Sequence, residues 1–231
     1  MYNEASIIEK TAKELSAYME QTFGGSDYEI IFSDDGSLDG SADLVNALSL
    51  PNVRTVGYSD NRGKGCAVRT AVLASVGDIV MFTDADLAYG TSVIKSMTDA
   101  LIAAPDASMA IGSRNLSSNG YEGYTFLRKI ASKAYIKVLC IAGGFSLSDS
   151  QCGCKAYRGD IARKIFARCK TDGFAFDFET ILRVQKAGGK IIEVPVKVVN
   201  HRESKVNVMR DTFKMLGDLR KIKKNIKNEE P

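Results

Sequence analysis

The sequence predicts an α/β fold with one mostly parallel sheet and helices on both faces. Three observations carry this. Short apolar runs such as Ile79-Val80-Met81-Phe82 stop at polar turns, as strands buried on both faces do. Between them lie segments with apolar residues at helical spacing, such as Ile7, Ile8, Ala12, Leu15 and Met19. The two kinds of segment alternate four times before residue 115, the order that lays crossover helices over a parallel sheet.

Taken in order, a helix over about 6–22 comes first, with no strand before it. Tyr28–Ser33 is a strand running into the turn Asp34-Asp35-Gly36-Ser37-Leu38-Asp39-Gly40, where Asp39 can N-cap a helix through Ala47. A strand at Val53–Gly57 leads into Asn61-Arg62-Gly63-Lys64-Gly65 and a helix over about 66–76. Two glycines and a lysine at a helix start can form an anion cradle of backbone N–H groups and one point charge, or simple structural punctuation. The run Asp78–Asp86 is a buried strand ending in two carboxylates, Asp84 and Asp86. A helix over 92–104 is stopped by Pro105, and Ser108–Gly112 is a strand closing on Ser113-Arg114. A polar loop over 115–123 precedes an apolar, lysine-bearing helix over 125–142, in which Arg128 and Ser132 share a face. Asp149–Tyr157 mixes polar and small residues and leads to helices over 160–169 and 176–187. Lys190–Val199 is a strand pair or one strand bent at Pro195. From Val206 an apolar stripe (Met209, Phe213, Leu216, Leu219, Ile222, Ile226) shares a helix with seven basic residues. Such a helix either lies on anionic lipid or docks its stripe and leaves a solvated basic face.

Composition narrows the class. The chain has 231 residues, 45% hydrophobic and 26% charged, which is globular usage sufficient for one core. A net charge of +3 gives no argument for nucleic acid as a partner. The five cysteines show no zinc-ligand spacing, since Cys152-Gly153-Cys154 is C-x-C, and read as small buried hydrophobes of a reducing cytosol. No signal peptide is visible and no apolar run approaches the ~20 residues that cross a bilayer. The expectation is a cytoplasmic chain, soluble or peripheral on a membrane face. The single histidine, His201, reads as a loop or surface residue.

Asp84-Ala85-Asp86 is the sharpest chemical signal. Side chains repeat every second residue along a strand, so both carboxylates reach toward one side. Two hard oxygen ligands there suit Mg2+ or Mn2+ carrying a diphosphate, and equally a solvated strand end or helix cap. No G-x-G-x-x-G follows a first strand, which disfavours a plain dinucleotide-binding protein.

Eight blocks in sequence order extend this. They are Tyr2-Asn3-Glu4, Asp34-Asp35-Gly36-Ser37, Asn61-Arg62-Gly63-Lys64-Gly65 with Ala67-Val68-Arg69, Asp84-Ala85-Asp86, Gly112-Ser113-Arg114, Asp149-Ser150-Gln151-Cys152-Gly153, Phe176-Asp177-Phe178-Glu179 and Ser204-Lys205-Val206-Asn207. On these the chain resembles the family 2 inverting glycosyltransferases of GT-A fold, within them the dolichyl-phosphate glucosyltransferase branch that glycosylates polyprenyl phosphates. The resemblance implies a GT-A domain over 1–205 and a basic amphipathic helix and tail over 206–231. It implies Asp35 as reader of the nucleotide base, with Glu4, Lys64, Asp84 and Lys205 as further sugar-nucleotide contacts. It implies Asp84 and Asp86 as metal carboxylates, with Asp86 the main one, and Arg114, Arg128 and Ser132 as holders of the acceptor phosphate. Asp86, Arg114 and Asp177 are the expected catalytic residues.

The implied reaction moves a hexose, glucose from UDP-glucose, to a polyprenyl phosphate on the cytoplasmic membrane face with Mg2+ or Mn2+. GDP-mannose as donor or a glycan as acceptor are the neighbouring readings. For an alcohol acceptor, Asp149, Asp177 or Glu179 would take the proton. A sugar-nucleotide binding protein of weak activity is the reading from another class. Two departures stand out: Ala88 occupies a position where some relatives carry a glutamine metal ligand, and the apolar strand that relatives place before Tyr-Asn-Glu is missing. The expectation is therefore that Met1 is internal to a longer chain and that a central slot of the sheet stands open.

Overall fold

The computed structural model describes residues 1–25, 27–200 and 208–229, with the side chains of Arg128 and of 208–214 outside that description. Among the described residues there are fourteen elements. They are α1 (Ala5–Phe23), β1 (Ile30–Asp35), α2 (Ser41–Ala47), β2 (Val53–Tyr58), α3 (Lys64–Ala74), β3 (Ile79–Phe82), α4 (Ser92–Ala103), β4 (Ala107–Ser113), α5 (Phe126–Gly143), β5 (Lys155–Arg158), α6 (Gly159–Arg168), α7 (Phe176–Lys186), β6 (Lys190–Pro195) and α8 (Val208–Asn228).

The strands do not form one sheet. β1 and β2 pair in parallel, while β3, β5, β4 and β6 form a separate sheet in that order. In the larger sheet β4 and β6 are parallel and β5 runs against both β3 and β4. The strand directions are thus mostly parallel, as expected, with β5 as the exception. The sequence reading left β5 as irregular chain. Its first residue is Lys155, fully buried, which breaks the apolar signature of an interior strand.

Helices cover both faces. On one, α5, α6, α7 and α8 pack around Met109, Ile111, Tyr157, Phe166 and Phe178. On the other, α4 brings Val93, Met97 and Leu101 against Ala110, Ala156 and Val194. A smaller core joins α1 to β1 and α2 through Ile8, Ala12, Ile30, Phe32 and Val45.

Two expectations need correction, and an alternative left open for the C-terminal helix is decided. β3 spans four residues, and only Val80 is buried, because one edge of the strand faces the gap between the two sheets. Asp39 does not stand at the N-cap of α2, which is Gly40; its carboxylate instead accepts the backbone N–H groups of Ser41 at 3.0 Å and of Ala5 at 2.8 Å, tying the starts of α2 and α1 together. Of the two readings of the C-terminal helix, the docked one is observed: Met215, Leu219, Ile222 and Ile226 are buried in the main core, and Leu216 is partly so. Lys186 Nζ donates to Ile226 O at 2.7 Å and Arg183 pairs with Glu229 at 2.7 Å, clamping the end of α8 onto α7. What remains outward on α8 is basic, with Arg220, Lys221, Lys223, Lys224 and Lys227 exposed. Met209 and Phe213 lie outside the described side chains. Among the described residues no helix is long and apolar enough to cross a membrane.

Candidate active site

The C-terminal ends of β1 and β3 meet the start of α3 at one cavity of about 860 Å³. Glu4, Asp35, Lys64, Asp84 and Asp86 all line it, so five of the sequence-predicted donor residues come together. Arg114, Ser132 and Asp177 do not line it. Lys205 and His201 lie outside the described residues.

Asp35 ends β1 and is buried. Its carboxylate accepts from Tyr58 Oη at 2.6 Å, Asn61 Nδ2 at 2.9 Å, and the backbone N–H groups of Arg62 at 2.9 Å and Gly63 at 3.0 Å. Asp35 therefore holds the Asn61–Gly63 loop in place. Tyr58, in turn, keeps its proton: burial and the neighbouring carboxylate push its hydroxyl far above the ordinary tyrosine value.

Of the two readings of 61–65, anion cradle or structural punctuation, the loop fits the second. The N–H groups of Gly65 and Cys66 donate to Asp172 O at 2.7 and 3.2 Å, and those of Arg62 and Gly63 are taken by Asp35. The donors that an anion would use at a helix start are satisfied by the protein itself. Gly63, at φ +112°, makes this possible, since a Cβ there would stand 2.6 Å from Asp172 O. The Asp172 turn is held from below by Glu179, whose carboxylate accepts the N–H groups of Lys170 at 3.0 Å and Thr171 at 2.8 Å. Glu179 is itself buried and paired with Arg183 at 2.8 Å.

What the loop delivers to the site is the Lys64 side chain. Its ammonium donates to Asp84 Oδ1 at 2.5 Å. Burial pulls this ammonium down, but the carboxylates of Asp84, Asp177 and Asp86 outweigh it and hold Lys64 above the ordinary lysine value. The other Asp84 oxygen lies against Gly153, where a Cβ would come within 2.2 Å of it. Asp86 Oδ1 accepts the N–H of Ala88 at 3.1 Å, closing the turn after β3.

Beneath these groups is a pair that pattern reading did not find. Lys155 is fully buried, and its Nζ donates to Asp177 Oδ1 at 2.7 Å and to Cys152 O at 2.7 Å, 5.8 Å from the Phe82 ring centroid. Burial raises the Asp177 carboxyl above its ordinary range, while Lys155 and Lys64 pull it back toward ionisation. A lysine among cysteine, alanine and tyrosine in an interior strand was the only available signal.

Among the described residues no third histidine, cysteine or carboxylate joins Asp84 and Asp86 in a cluster of metal ligands. The pair does not form a cage. It does fit a divalent ion whose remaining positions are phosphate oxygens and water, the usual arrangement for Mg2+ with a nucleotide. Asp84 would hold such an ion beside the Lys64 ammonium, which now occupies its Oδ1.

On the acceptor side, Arg114 follows β4 and is bound in bidentate fashion by Asp149, through Nε at 2.7 Å and Nη2 at 3.0 Å. Burial lowers this guanidinium and Asp149 more than compensates, leaving it well above the ordinary value. Glu193 orders the Asp149 loop by accepting from Ser148 N at 2.9 Å, Ser148 Oγ at 2.6 Å and Asp149 N at 3.2 Å. Buried Tyr121 joins Arg114 to α5: the Arg114 guanidinium and Lys133 Nζ lie 5.6 and 5.7 Å from its ring centroid. Ser132 is next to Lys133 on α5, and the Arg128 side chain is outside the description. Tyr121 and Lys133 carried no sequence motif.

Comparison with known proteins places the chain in a family. Residues 1–166 match glycosyl transferase family 2. A dolichyl-phosphate beta-glucosyltransferase of Dictyostelium discoideum is 32% identical, over 96% of this chain and 71% of the relative. That of Saccharomyces cerevisiae is 28% identical, over 94% and 70%. Among solved structures, glucosyl-3-phosphoglycerate synthase from Mycobacterium tuberculosis, in complex with Mn2+, UDP-glucose and glycerol 3-phosphate, superposes with a TM-score of 0.68 at 18% identity, over 96% of this chain and 76% of that one. Mannosyl-3-phosphoglycerate synthase from Rubrobacter xylanophilus gives 0.69 at 18%, over 100% and 75%. The structural likeness establishes the GT-A fold; the sequence match over most of the chain establishes that the protein belongs to glycosyl transferase family 2.

Proposed function

We propose that the protein transfers a hexose, glucose from UDP-glucose, to a polyprenyl phosphate at a membrane surface. The observation that carries the acceptor class is the state of the carboxylates. Each candidate base is already engaged: Asp149 by Arg114, Asp177 by Lys155 and Glu179 by Arg183. An alcohol acceptor would need one of them to take a proton. A phosphate monoester has its second pKa near ~6 and is anionic at neutral pH, so it attacks without a base. The names of the relatives, dolichyl-phosphate beta-glucosyltransferases, point the same way.

In this reading an acceptor phosphate oxygen forms a bond to the anomeric carbon as the bond to the donor diphosphate breaks. UDP departs with the electron pair and the configuration inverts. Asp84 and Asp86 would hold a divalent ion, which supplies charge neutralisation for the departing diphosphate. Lys64, beside Asp84 in the same cavity, would face that diphosphate as a point charge. Arg114 has N–H groups beyond those bound to Asp149, and with Arg128 and Ser132 it is the proposed seat of the acceptor phosphate. Asp35 supports base recognition through the loop it fixes.

Helix α5 supplies the membrane contact. Its outer face exposes Leu127 (78%), Ile130, Val138 and Ile141 (71%), with Lys133 and Lys137 exposed on the flank. Apolar residues rimmed by lysines match an anionic lipid surface. The basic face of α8, packed beside α5, adds charge there.

The test is UDP release from UDP-glucose with Mg2+ or Mn2+ and a short polyprenyl phosphate. Release requiring both additions, and lost in Asp86→Ala, is expected. Release with GDP-mannose alone would reassign the donor, and release with a glycan acceptor would overturn the acceptor.

A further inference from the structure

The turn that follows β3 carries both candidate metal carboxylates, and it is built on a backbone that leucine seldom adopts. Leu87 N–H donates to Asp84 O at 3.0 Å and Gly90 N–H to Leu87 O at 2.7 Å, so two tight turns meet at Leu87. Leu87 itself stands at φ +47° with its side chain buried. For a bulky residue this conformation is strained, and it persists where the surroundings hold it. Between the two turns, Ala88 N–H donates to Asp86 Oδ1 at 3.1 Å and orients that carboxylate. The placement of Asp86 therefore depends on how this peptide is held.

What holds it comes from far along the chain. Past β6, Val196 and Val198 bury their side chains in the core shared with α4, and Val196 N–H donates to Ser113 O at 3.0 Å. This seats the next two residues on the turn. The N–H groups of Val199 and Asn200 both donate to Ala88 O, at 2.8 and 3.2 Å. The Asn200 side chain then reaches the residues before it: Nδ2 donates to Leu87 O at 2.9 Å and to Asp86 O at 3.3 Å. Both partners are carbonyl oxygens and need a donor, which an ionised aspartate in the same place could not supply. Gly90, at φ +68°, completes the fit, since a Cβ there would come within 3.1 Å of Val199 Cγ2. Asp84 is seated separately, between Lys64 and Gly153, whose N–H donates to Tyr89 Oη at 3.2 Å. Different parts of the chain thus fix the two carboxylates, and the residues after β6 fix Asp86.

We propose that Asn200 is a positioning residue for the metal site: its amide, by holding the carbonyls of Asp86 and Leu87, keeps the strained turn in the conformation that aims the Asp86 carboxylate at the ion. The role rests on the reading of Asp84 and Asp86 as metal carboxylates. It acts through the backbone and includes no contact with the reacting atoms.

The experiment compares the full chain with its Asn200→Ala variant by three measurements. Mn2+ binding in the presence of UDP is followed by loss of the free-ion paramagnetic resonance signal, UDP binding without metal by calorimetric titration, and the turn itself by amide exchange at Ala88 and Gly90. Asn200 is exposed, and its backbone bond to Ala88 survives the substitution, so the variant is expected to fold as the parent does. Mn2+ affinity should fall by about tenfold or more, the usual cost of losing a group that orients a metal ligand. UDP affinity without metal should hold, and exchange at Ala88 and Gly90 should quicken. Unchanged Mn2+ affinity, in a parent that binds the ion, overturns the proposal. So does an equal loss of metal-free UDP affinity, which would make Asn200 a general support of the cavity. A fall in Mn2+ affinity with unchanged exchange would make the Asn200 side chain a direct ligand and overturn the positioning role. A parent that binds no Mn2+ in the presence of UDP overturns the metal reading itself, and this role with it.

Discussion

At the scale of single residues, the site works through close approaches and buried pairs. Gly153 is open to a direct test, since an added Cβ would stand 2.2 Å from Asp84 Oδ2 and must push that carboxylate aside. Gly153→Ala is expected to weaken UDP-glucose binding in the presence of metal by tenfold or more, about 1.4 kcal/mol. Thermal stability should change little, because the displaced atoms are the end of a side chain; calorimetric titration and a melting curve read the two effects separately. Lys155 makes the opposite prediction. Lys155→Met leaves the buried Asp177 carboxylate without its partner and should cost about 3–5 kcal/mol, whereas Lys155→Met with Asp177→Leu should recover much of it. Denaturant midpoints of the three proteins decide this. Lys64 adds a point about order of arrival. The free site already carries its own cation on Asp84, so metal affinity measured without nucleotide should be weaker than with UDP present.

Among the secondary-structure elements, those with a simple apolar period were legible in the sequence, and those whose character depends on distant partners were not. α1, α4 and α7 fall within a residue or two of their expected bounds, because stripes such as Val93, Met97 and Leu101 belong to one face of one helix. β5 was missed because Lys155 at its start finds its counter-charge on α7, 22 positions away. The 61–65 loop reads as an anion cradle until Asp35 and Asp172, distant in sequence, are seen to take its donors. The D-x-D and the grouping of Asp35, Lys64, Asp84 and Asp86 were legible because separate motifs agreed; the engagement of Asp149, Asp177 and Glu179 was not, since ion pairs leave no period. Both α5 and α8 read in the sequence as able to meet a membrane; the stripe of α8 is buried, and the exposed apolar face belongs to α5. Leu127→Ser with Ile141→Ser should therefore reduce sedimentation with vesicles containing anionic lipid several-fold without lowering the melting temperature. An unchanged sedimented fraction would remove α5 from the membrane contact.

For the whole molecule, the split sheet has a dynamic consequence. The half containing α1, β1, α2 and β2 has its own small core, centred on Ile8, Phe32 and Val45. It meets the rest through side-chain hydrogen bonds, among them Ser33 Oγ to Ala67 O at 2.7 Å, Thr11 Oγ1 to Ala85 O at 2.8 Å and those of Asp35 to the Asn61–Gly63 loop. No ladder of backbone hydrogen bonds crosses between the sheets among the described residues. Cooperative units of a protein open separately where such coupling is weak. Native-state hydrogen exchange should accordingly sort the slow amides into two classes, with those of β1 and β2 exchanging through a partial opening of lower free energy than those of β4 and β5. Asp35 rides on the less stable unit and Asp84 on the more stable one, so that opening would disassemble the nucleotide site while the larger core stayed folded.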